Sequence, residues 1–428
     1  MRVLLKGLVS VFFLTLTVFA FGSDFSEKLK NLENVVSVEE LECSDFFTEK
    51  YLVIFEQALD MSVPEAGTFK QRVFVCHKSY KSPVVFVTEG YSADYAESAN
   101  YINELTDILQ ANQIVVEHRF FSGSAPDPLE WDYLTTKNAA DDQHNIRMAF
   151  KDLYKGKWVS TGISKGGQTC LLYQMYYPRD VNATVAYVAP VAKALEDGRH
   201  EPFIKNIGTK KDRKKILNFQ KEFLKRKATI MPIMENYVKA AKLTFRIPLE
   251  EIYDYCVLEY SFAFWQWIGN TEKIPTKKDS DSKLFQHMLV VSSPEYFSIE
   301  GSESTLPFFY QAARELGYYG YETESLAKYL TISTAEGYFN RIFLPKELQG
   351  DFYSQTSVDL ENFLKTKARN TIIIYGEYDP WSAAAPETGE NKGVIKVINP
   401  RGTHSSRIKL LPQSQHELVI NTLNDWLK

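Results

Sequence analysis

The stretch Gly162-Ile163-Ser164-Lys165-Gly166-Gly167 follows the pattern G-x-S-x-G and decides the fold assignment. Residues 157–162 before it have the pattern of a short strand, and residues 168–177 after it have that of a helix that stops at Pro178. A serine on a tight strand-to-helix turn stands clear of the backbone, and flanking glycines permit that turn. Amides at the start of the helix then point toward any oxyanion that forms. The stretch predicts a nucleophilic Ser164, although an idle serine in a Gly-rich turn would fit these six residues alone.

Strand and helix patterns alternate on both sides of this motif. Apolar runs at residues 83–88, 114–117, 184–189, 371–375 and 394–398 predict strands, and residues 51–55 and 70–75 predict a hairpin. Helical spacing is found at residues 98–110, 136–153 and 413–427. This alternation predicts an α/β fold with a mostly parallel sheet and crossover helices.

The alternation is interrupted between residues 195 and 366, where charged and aromatic-rich helical patterns replace the strand signal. The sheet pattern resumes at residue 371. We therefore expect one fold cut by a helical cap. Residues 23–194 form the first part of the core, 195–366 the cap insertion, and 367–428 the second part of the core.

The composition restricts the class of protein. The chain has 428 residues, 44% of them hydrophobic, with a net charge of −5 and no long basic run, which argues against nucleic acid as a partner. Arg2 and Lys6 precede an apolar run over residues 8–21, and the small residues Ala20 and Gly22 suit cleavage before Ser23. Residues 1–22 therefore predict a signal peptide. We expect an exported protein, periplasmic or secreted, without a stable membrane anchor; a retained anchor helix is the alternative.

The four cysteines and seven histidines show no zinc-ligand spacing, so we expect neither a metal nor a cofactor. Cys43 and Cys76 both fall in the N-terminal β-rich region and could pair after export. Cys170, on the helix after Ser164, is expected to be a buried free thiol.

A serine nucleophile needs a base, and the base needs a carboxylate that orients it. In folds with this turn the chain order is serine, acid, histidine. Asp379 follows the predicted strand at 371–375, and His404 follows the strand at 394–398. Ser164, Asp379 and His404 therefore form the expected triad. Glu377 is an alternative acid, and Asp379 could instead only cap the turn before Pro380.

The other histidines fit less well. His118, His144 and His287 precede the late acid, and His416 lies inside the predicted final helix. For the oxyanion, one amide is expected from Lys165 and a second from the loop after an early strand, at Gly90 or Tyr91. An ordinary strand-end turn remains the alternative for Gly90.

Several stretches together resemble the secreted tripeptidyl aminopeptidase family of serine peptidases, which is related to the prolyl carboxypeptidase and dipeptidyl peptidase group. The matching stretches are residues 67–73, 88–91, 117–121, 162–167, 264–267 and 376–381, in order along most of the mature chain. The resemblance implies an α/β-hydrolase fold with a helical cap, the triad above, peptide substrates, and exopeptidase action that often prefers proline on the acyl side of the cut.

The resemblance also suggests substrate-binding residues. An aminopeptidase must bind a free α-ammonium group, and Glu89 is the first candidate for this role, with a structural carboxylate as the equal alternative. Trp265 and Trp267 could stack on a prolyl ring, but two residues this close on a helix cannot share a face, so we expect only one in the pocket. Glu117 and Arg119 are expected to pair at a strand end.

An esterase, lipase or acyltransferase on the same fold is the second functional hypothesis, and a non-catalytic exported binding protein is the third. The number of residues released per cut and the oligomeric state stay open at this stage.

Overall fold

A single mixed sheet forms the centre of the computed structural model, which describes residues 23–428. The predicted signal peptide, residues 1–22, lies outside the described residues. The strands within this range are β1 (Val35–Leu41), β2 (Glu49–Ala58), β3 (Thr68–His77), β4 (Val84–Thr88), β5 (Asn112–Val116), β6 (Trp158–Ile163), β7 (Ala183–Tyr187), β8 (Thr371–Gly376) and β9 (Val394–Asn399).

The nine strands follow the order β1-β2-β3-β5-β4-β6-β7-β8-β9. The pairs from β1 to β3, and β3 with β5, are antiparallel, whereas every pair from β5 to β9 is parallel. The predicted α/β class with a mostly parallel sheet is confirmed. The hairpin predicted around residues 51–75 is also confirmed, as β2 and β3.

Helices connect and cover these strands. Within residues 23–428 they are α1 (Asp24–Lys30), α2 (Glu104–Leu109), α3 (Thr136–Ala149), α4 (Lys165–Tyr176), α5 (His200–Ile204), α6 (Lys210–Lys225), α7 (Lys227–Ala241), α8 (Leu249–Trp267), α9 (Asp281–Val291), α10 (Ile299–Ser302), α11 (Leu306–Gln311), α12 (Tyr338–Phe343), α13 (Gln355–Thr366) and α14 (Gln413–Leu427). None of the helices in this range is both long enough and apolar enough to cross a membrane.

The central strands are buried on both faces, as their continuous apolar runs predict. In β4, Val84 and Phe86 pack toward α1 and α3, whereas Val85 and Val87 pack toward α2 and α14. Helix α2 is shorter than the predicted 98–110 because the Asn103 side chain caps it by accepting from the amide of Leu105.

The sequence-based description missed β1. Its side chains are half-buried or exposed, and its residues Glu39 and Glu40 interrupt any apolar pattern. This strand pairs with β2 alone and forms the edge of the sheet. Charged residues are usual on such edges because they discourage pairing with another chain.

Helices α5 to α12 lie between β7 and β8 and build a separate aromatic-rich core. Helix α13 differs, because Leu360, Phe363 and Leu364 pack with Cys170 of α4 and Ile373 of β8. Helix α13 therefore packs with the sheet, although it precedes the expected cap boundary at residue 366. We call residues 195–354 the cap.

The cysteines are free thiols. The pairing considered for Cys43 and Cys76 is not present in the structure, and Cys76 is buried within β3. Burial raises the pKa of the Cys76 thiol to about 12, so it stays protonated at neutral pH.

Candidate active site

Ser164 occupies the turn between β6 and α4. Its backbone has φ 56° and ψ −121°, a region that costs a residue with a side chain about 1 to 3 kcal/mol and that clusters at functional sites. A Cβ at position 162 would overlap the carbonyl group of Gly166 and lie 2.8 Å from the nitrogen of Gly167. The glycine at 162 therefore lets α4 start directly against the end of β6, which presents the serine at the carboxyl edge of the sheet.

Asp379 and His404 lie in the loops after β8 and β9. The Nδ1 atom of His404 is 2.7 Å from Oδ2 of Asp379, and both side chains are buried. The Oδ1 atom of Asp379 also accepts from the amide of Trp381 at 3.2 Å, so the carboxylate both caps its turn and holds the imidazole. Held in this way, His404 keeps its Nε2 lone pair for another group.

Ser164 and His404 line the same cavity, which has a volume of about 740 Å³. Within residues 23–428 no hydrogen bond joins the Ser164 hydroxyl to His404. Catalytic hydrogen bonds are often long in substrate-free enzymes and shorten in the complex. The arrangement therefore places the candidate nucleophile and the candidate base at one cavity, with the candidate acid hydrogen-bonded to the base.

The alternative residues have other partners. Glu377 accepts from the amide of Arg401, and Nδ1 of His118 is 2.8 Å from the carbonyl oxygen of Arg119. His144 pairs with Asp180, and Nε2 of His287 is 2.8 Å from the hydroxyl of Tyr260. These contacts give each of these residues a structural function away from Asp379.

The expected oxyanion loop packs against the start of α4. A Cβ at Gly90 would lie 2.6 Å from the nitrogen of Gly166 and 2.7 Å from the carbonyl carbon of Lys165. Lys165 is the first residue of α4, where an amide has no acceptor within its own helix. Tyr91 lines the cavity beside it. The backbone of residues 90 and 91 and the amide of Lys165 are therefore neighbours at the cavity wall.

A basic group, Lys165, and an acidic group, Glu89, lie next to this wall. The buried Nζ of Lys165 donates to the carbonyl oxygen of Gly90 at 2.6 Å and lies over the rings of Tyr91 and Phe121. Burial lowers the pKa of Lys165, and the nearby Glu89 carboxylate opposes this shift. Burial likewise raises the pKa of Glu89, opposed by the hydroxyl of Tyr95, the amide of Gly90 and Lys165. Glu89 lines the cavity, and Lys165 is close enough to act on its pKa.

The two tryptophans at the end of α8 point in different directions. Trp267 is 57% exposed, lines the cavity, and packs edge-on against His404 with 5.3 Å between ring centres. Trp265 is 1% exposed and does not line this cavity. Its ring packs against Tyr378 and over Gly208, where a Cβ would lie 2.5 Å from the indole. Trp265 is therefore a core residue, and of the two tryptophans only Trp267 lines this cavity.

Glu117 and Arg119 do not pair with each other, contrary to expectation. Arg119 is buried and forms a two-pronged ion pair with Asp142 at 2.7 and 2.8 Å. Glu117 accepts from the amide of Ala93 and from the hydroxyl of Ser124. Glu117 therefore holds the segments at Ala93 and Ser124, and Arg119 holds α3 through Asp142.

The sequence-based description missed two charged residues of the cavity. Arg407 donates to the carbonyl oxygens of His404 and Ser406, and no pattern in the sequence marks it. Glu259 lies on α8 and accepts from the hydroxyls of Tyr319 and Tyr321. The signal for Glu259 was a single carboxylate inside the apolar and aromatic run of residues 255–265. Such a carboxylate, flanked by residues that belong in a core, has a specific partner or function.

Comparison with known proteins gives a family match over nearly the whole chain. The family model described as PS-10 peptidase S37 matches residues 22–427. A prolyl tri/tetrapeptidyl aminopeptidase of Streptomyces mobaraensis is 30% identical over 413 residues, which cover 94% of this chain and 85% of that protein. A protein of Arabidopsis thaliana named "Probable serine protease EDA2" is 23% identical over 414 residues, covering 84% of this chain and 81% of that protein.

Among solved structures, the proline iminopeptidase of Mycobacterium smegmatis matches 91% of this chain and 99% of its own, with a TM-score of 0.40 and 11% identity.

Proposed function

This chain belongs to the PS-10 peptidase S37 family and is a serine peptidase, and on this basis we propose that it is an exported aminopeptidase that releases short N-terminal peptides. We further propose that it prefers proline on the acyl side of the cut. The name of the Streptomyces relative, which includes both prolyl and tri/tetrapeptidyl, supports this preference. Export is proposed from the charged and apolar pattern of residues 1–22.

The proposed mechanism is acyl transfer through Ser164. His404 removes the hydroxyl proton through Nε2 as Oγ attacks the scissile carbonyl carbon, and Asp379 holds the Nδ1 hydrogen. The amides of Lys165 and of Gly90 or Tyr91 bind the resulting oxyanion. His404 then returns the proton to the leaving amine, and a water molecule hydrolyses the acyl-enzyme by the same route in reverse.

A single observation carries this proposal, namely the 2.7 Å contact between His404 and Asp379 at the cavity that also contains Ser164 on its strained turn. The three residues come from separate loops at the carboxyl edge of the sheet, and the chain order agrees with the hydrolase pattern. The aromatic walls of the cavity, which include Tyr91, Phe308 and Trp267, supply flat apolar surfaces that suit a prolyl ring.

The test compares wild-type enzyme with Ser164→Ala on two substrates, a prolyl-peptide anilide with a free N-terminus and a p-nitrophenyl ester. We expect the wild-type enzyme to prefer the peptide and to react with a fluorophosphonate, and we expect the variant to lose about 10⁴-fold or more in kcat. Retained peptidase activity in Ser164→Ala would refute the assignment. Hydrolysis of the ester alone would favour the esterase alternative, and no fluorophosphonate labelling would favour a binding protein.

A further inference from the structure

The carboxyl group of Glu259 is a buried ionisable group that the proposed mechanism does not use. Glu259 lies on α8, is 5% exposed and lines the cavity that contains Ser164. Its Oε2 atom accepts from the hydroxyls of Tyr319 and Tyr321, both at 2.8 Å. In the described part of the chain its Oε1 atom has no hydrogen-bond partner. One oxygen is therefore fixed by the protein, and the other remains for a ligand.

No protein cation balances the charge of the ionised Glu259 carboxylate. Across residues 23–428, no lysine, arginine or histidine nitrogen lies within 4.0 Å of the Glu259 carboxylate. The titratable groups that face it are Cys256 on its own helix and the hydroxyls of Tyr296, Tyr318, Tyr319, Tyr321 and Tyr338. All of these groups are neutral at neutral pH, so the ionised carboxylate has hydrogen bonds but no counter-charge.

The other carboxylate of the cavity is different. Glu89 has the buried ammonium group of Lys165 as a neighbour, and it accepts from the hydroxyl of Tyr95. Arg407, the remaining cation among the described residues that line the cavity, donates to the carbonyl oxygens of His404 and Ser406. Glu259 is therefore the carboxylate of this cavity on which no cation of the described residues acts, and a cationic ligand would bind there.

We propose that Glu259 binds the free α-ammonium group of the peptide substrate and thereby sets how many residues are released. The proposal rests on the proposed aminopeptidase function. A buried carboxylate without a counter-ion is unfavourable, and a substrate ammonium group supplies the missing charge. The surrounding tyrosine rings add attraction for a cation that reaches the carboxylate.

Helix α8 links Glu259 to the candidate base, His404, so its length gives the approximate distance between them. The carbonyl oxygen of Gln266 accepts from the backbone amide of His404 at 3.0 Å, so the last turn of α8 lies against the candidate base. Glu259 precedes Gln266 by seven residues and, with Ala263, lines the same cavity along one helix face. Seven residues of α-helix rise about 10.5 Å.

An extended peptide covers at most about 3.3 to 3.6 Å per residue, so a rise of about 10.5 Å corresponds to roughly three residues. A substrate whose ammonium group sits at Glu259 would then place its third peptide carbonyl near His404 and Ser164. The geometry favours release of tripeptides over release of single residues.

The test measures kcat/KM for a tripeptidyl p-nitroanilide that ends in proline and for its N-acetylated twin. In the wild-type enzyme we expect the free amine to react faster. In Glu259→Gln we expect the ratio of free to acetylated kcat/KM to fall by about 10- to 100-fold, mainly through KM, because a hydrogen bond between charged groups is lost. The acetylated twin should change by less than about 3-fold, because it has no α-ammonium group to place beside Glu259.

Glu196→Gln is the matched control. Glu196 is a half-buried carboxylate of the cap that accepts from the amides of Gly337 and Phe339 and does not line the cavity. The same chemical change at this site should leave the ratio of free to acetylated substrate unchanged. Fluorophosphonate labelling of each variant reports whether the fold and the reactivity of Ser164 are intact.

Several outcomes would overturn the proposal. These are an unchanged ratio in Glu259→Gln, an equal loss on both substrates together with slower labelling, or a collapse of the ratio in Glu89→Gln in place of Glu259→Gln. In a series of prolyl anilides with one, two and three residues, the wild-type enzyme should favour three, and a maximum at one would reject the distance argument. Wild-type enzyme that labels but cleaves no peptide would instead remove the proposed function itself.

Discussion

The backbone amide of His404 donates to the carbonyl oxygen of Gln266 at 3.0 Å, which ties the candidate base to the last turn of cap helix α8. The next residue on that helix, Trp267, packs edge-on against the imidazole. Because α8 also carries Glu259, one helix contacts the base and the proposed ammonium site. The cap therefore contributes residues to the candidate active site.

The tryptophan pair gives the first prediction. Trp267→Ala removes an exposed wall of the cavity beside His404, so we expect kcat/KM for prolyl substrates to fall by about 3- to 10-fold with little change in stability. Trp265→Ala opens a cavity in the core, so we expect a loss of about 3 to 5 kcal/mol in unfolding free energy. Steady-state kinetics and chemical denaturation of both variants check this.

The two variants act as controls for each other. A large stability loss in Trp267→Ala, or a folded Trp265→Ala with wild-type stability, would contradict the packing described here.

Features that depend on local patterns could be predicted from the sequence. The turn at Ser164 could be predicted because glycine spacing and the change from strand to helix are both visible in a short window. Asp379 and His404 could be predicted from chain order after recognisable strands. The sequence could also restrict Trp265 and Trp267 to different faces of a helix, but it could not tell which face meets the cavity.

Features that depend on the meeting of distant segments could not be predicted. Glu259 becomes a cavity residue because the segment that holds Tyr319 and Tyr321 packs against α8, and no local pattern encodes this contact. The packing of α13 on the sheet could not be predicted for a related reason. Helix α13 follows the cap helices in sequence but packs on the sheet, and an amphipathic helix does not reveal which surface it covers.

A second prediction concerns the turn that presents Ser164. In Gly162→Ala the new Cβ would overlap the backbone carbonyl of Gly166, which cannot rotate away. We expect a loss of about 3 kcal/mol or a displaced α4, with fluorophosphonate labelling slowed even in the folded fraction. Gly198→Ala is the control, because nothing lies within 4 Å of a Cβ there, and it should behave as wild type. Labelling at the wild-type rate in Gly162→Ala would show that the turn tolerates the change.

A third prediction concerns the orientation of the base. Asp379→Asn keeps the size of the side chain but removes the charge that holds the Nδ1 hydrogen of His404, so the imidazole can adopt the wrong tautomer. We expect kcat to fall by about 10⁴-fold. Glu377→Gln, which changes the neighbouring carboxylate, should stay within about 10-fold of wild type, because Glu377 accepts from the amide of Arg401 and not from His404. Similar losses in the two variants would contradict the assignment of Asp379 as the residue that orients His404.

The last prediction concerns how ionisation of Glu259 changes the stability of the substrate-free protein. Burial raises the pKa of Glu259 from 4.5 to about 7, against the opposing hydroxyls of Tyr321 and Tyr319. A raised pKa means that the folded protein binds the proton more tightly than the unfolded chain. The stability associated with that proton is therefore complete below pH 4.5 and is lost as the pH rises through about 7.

The side chain introduced by Glu259→Gln cannot ionise, so the variant does not lose this stability as the pH rises. We expect the unfolding free energy of the variant minus that of wild type to be nearly constant below pH 4.5, to increase between pH 4.5 and 7, and to level off above 7. The total increase should be about 3 kcal/mol, since one pH unit corresponds to about 1.4 kcal/mol. Denaturant titrations of both proteins at several pH values measure the difference, in which the other titratable groups cancel. A difference that does not vary with pH would show that the carboxylate is solvated or balanced by another charge, and would remove the reason for a substrate ammonium group to bind there.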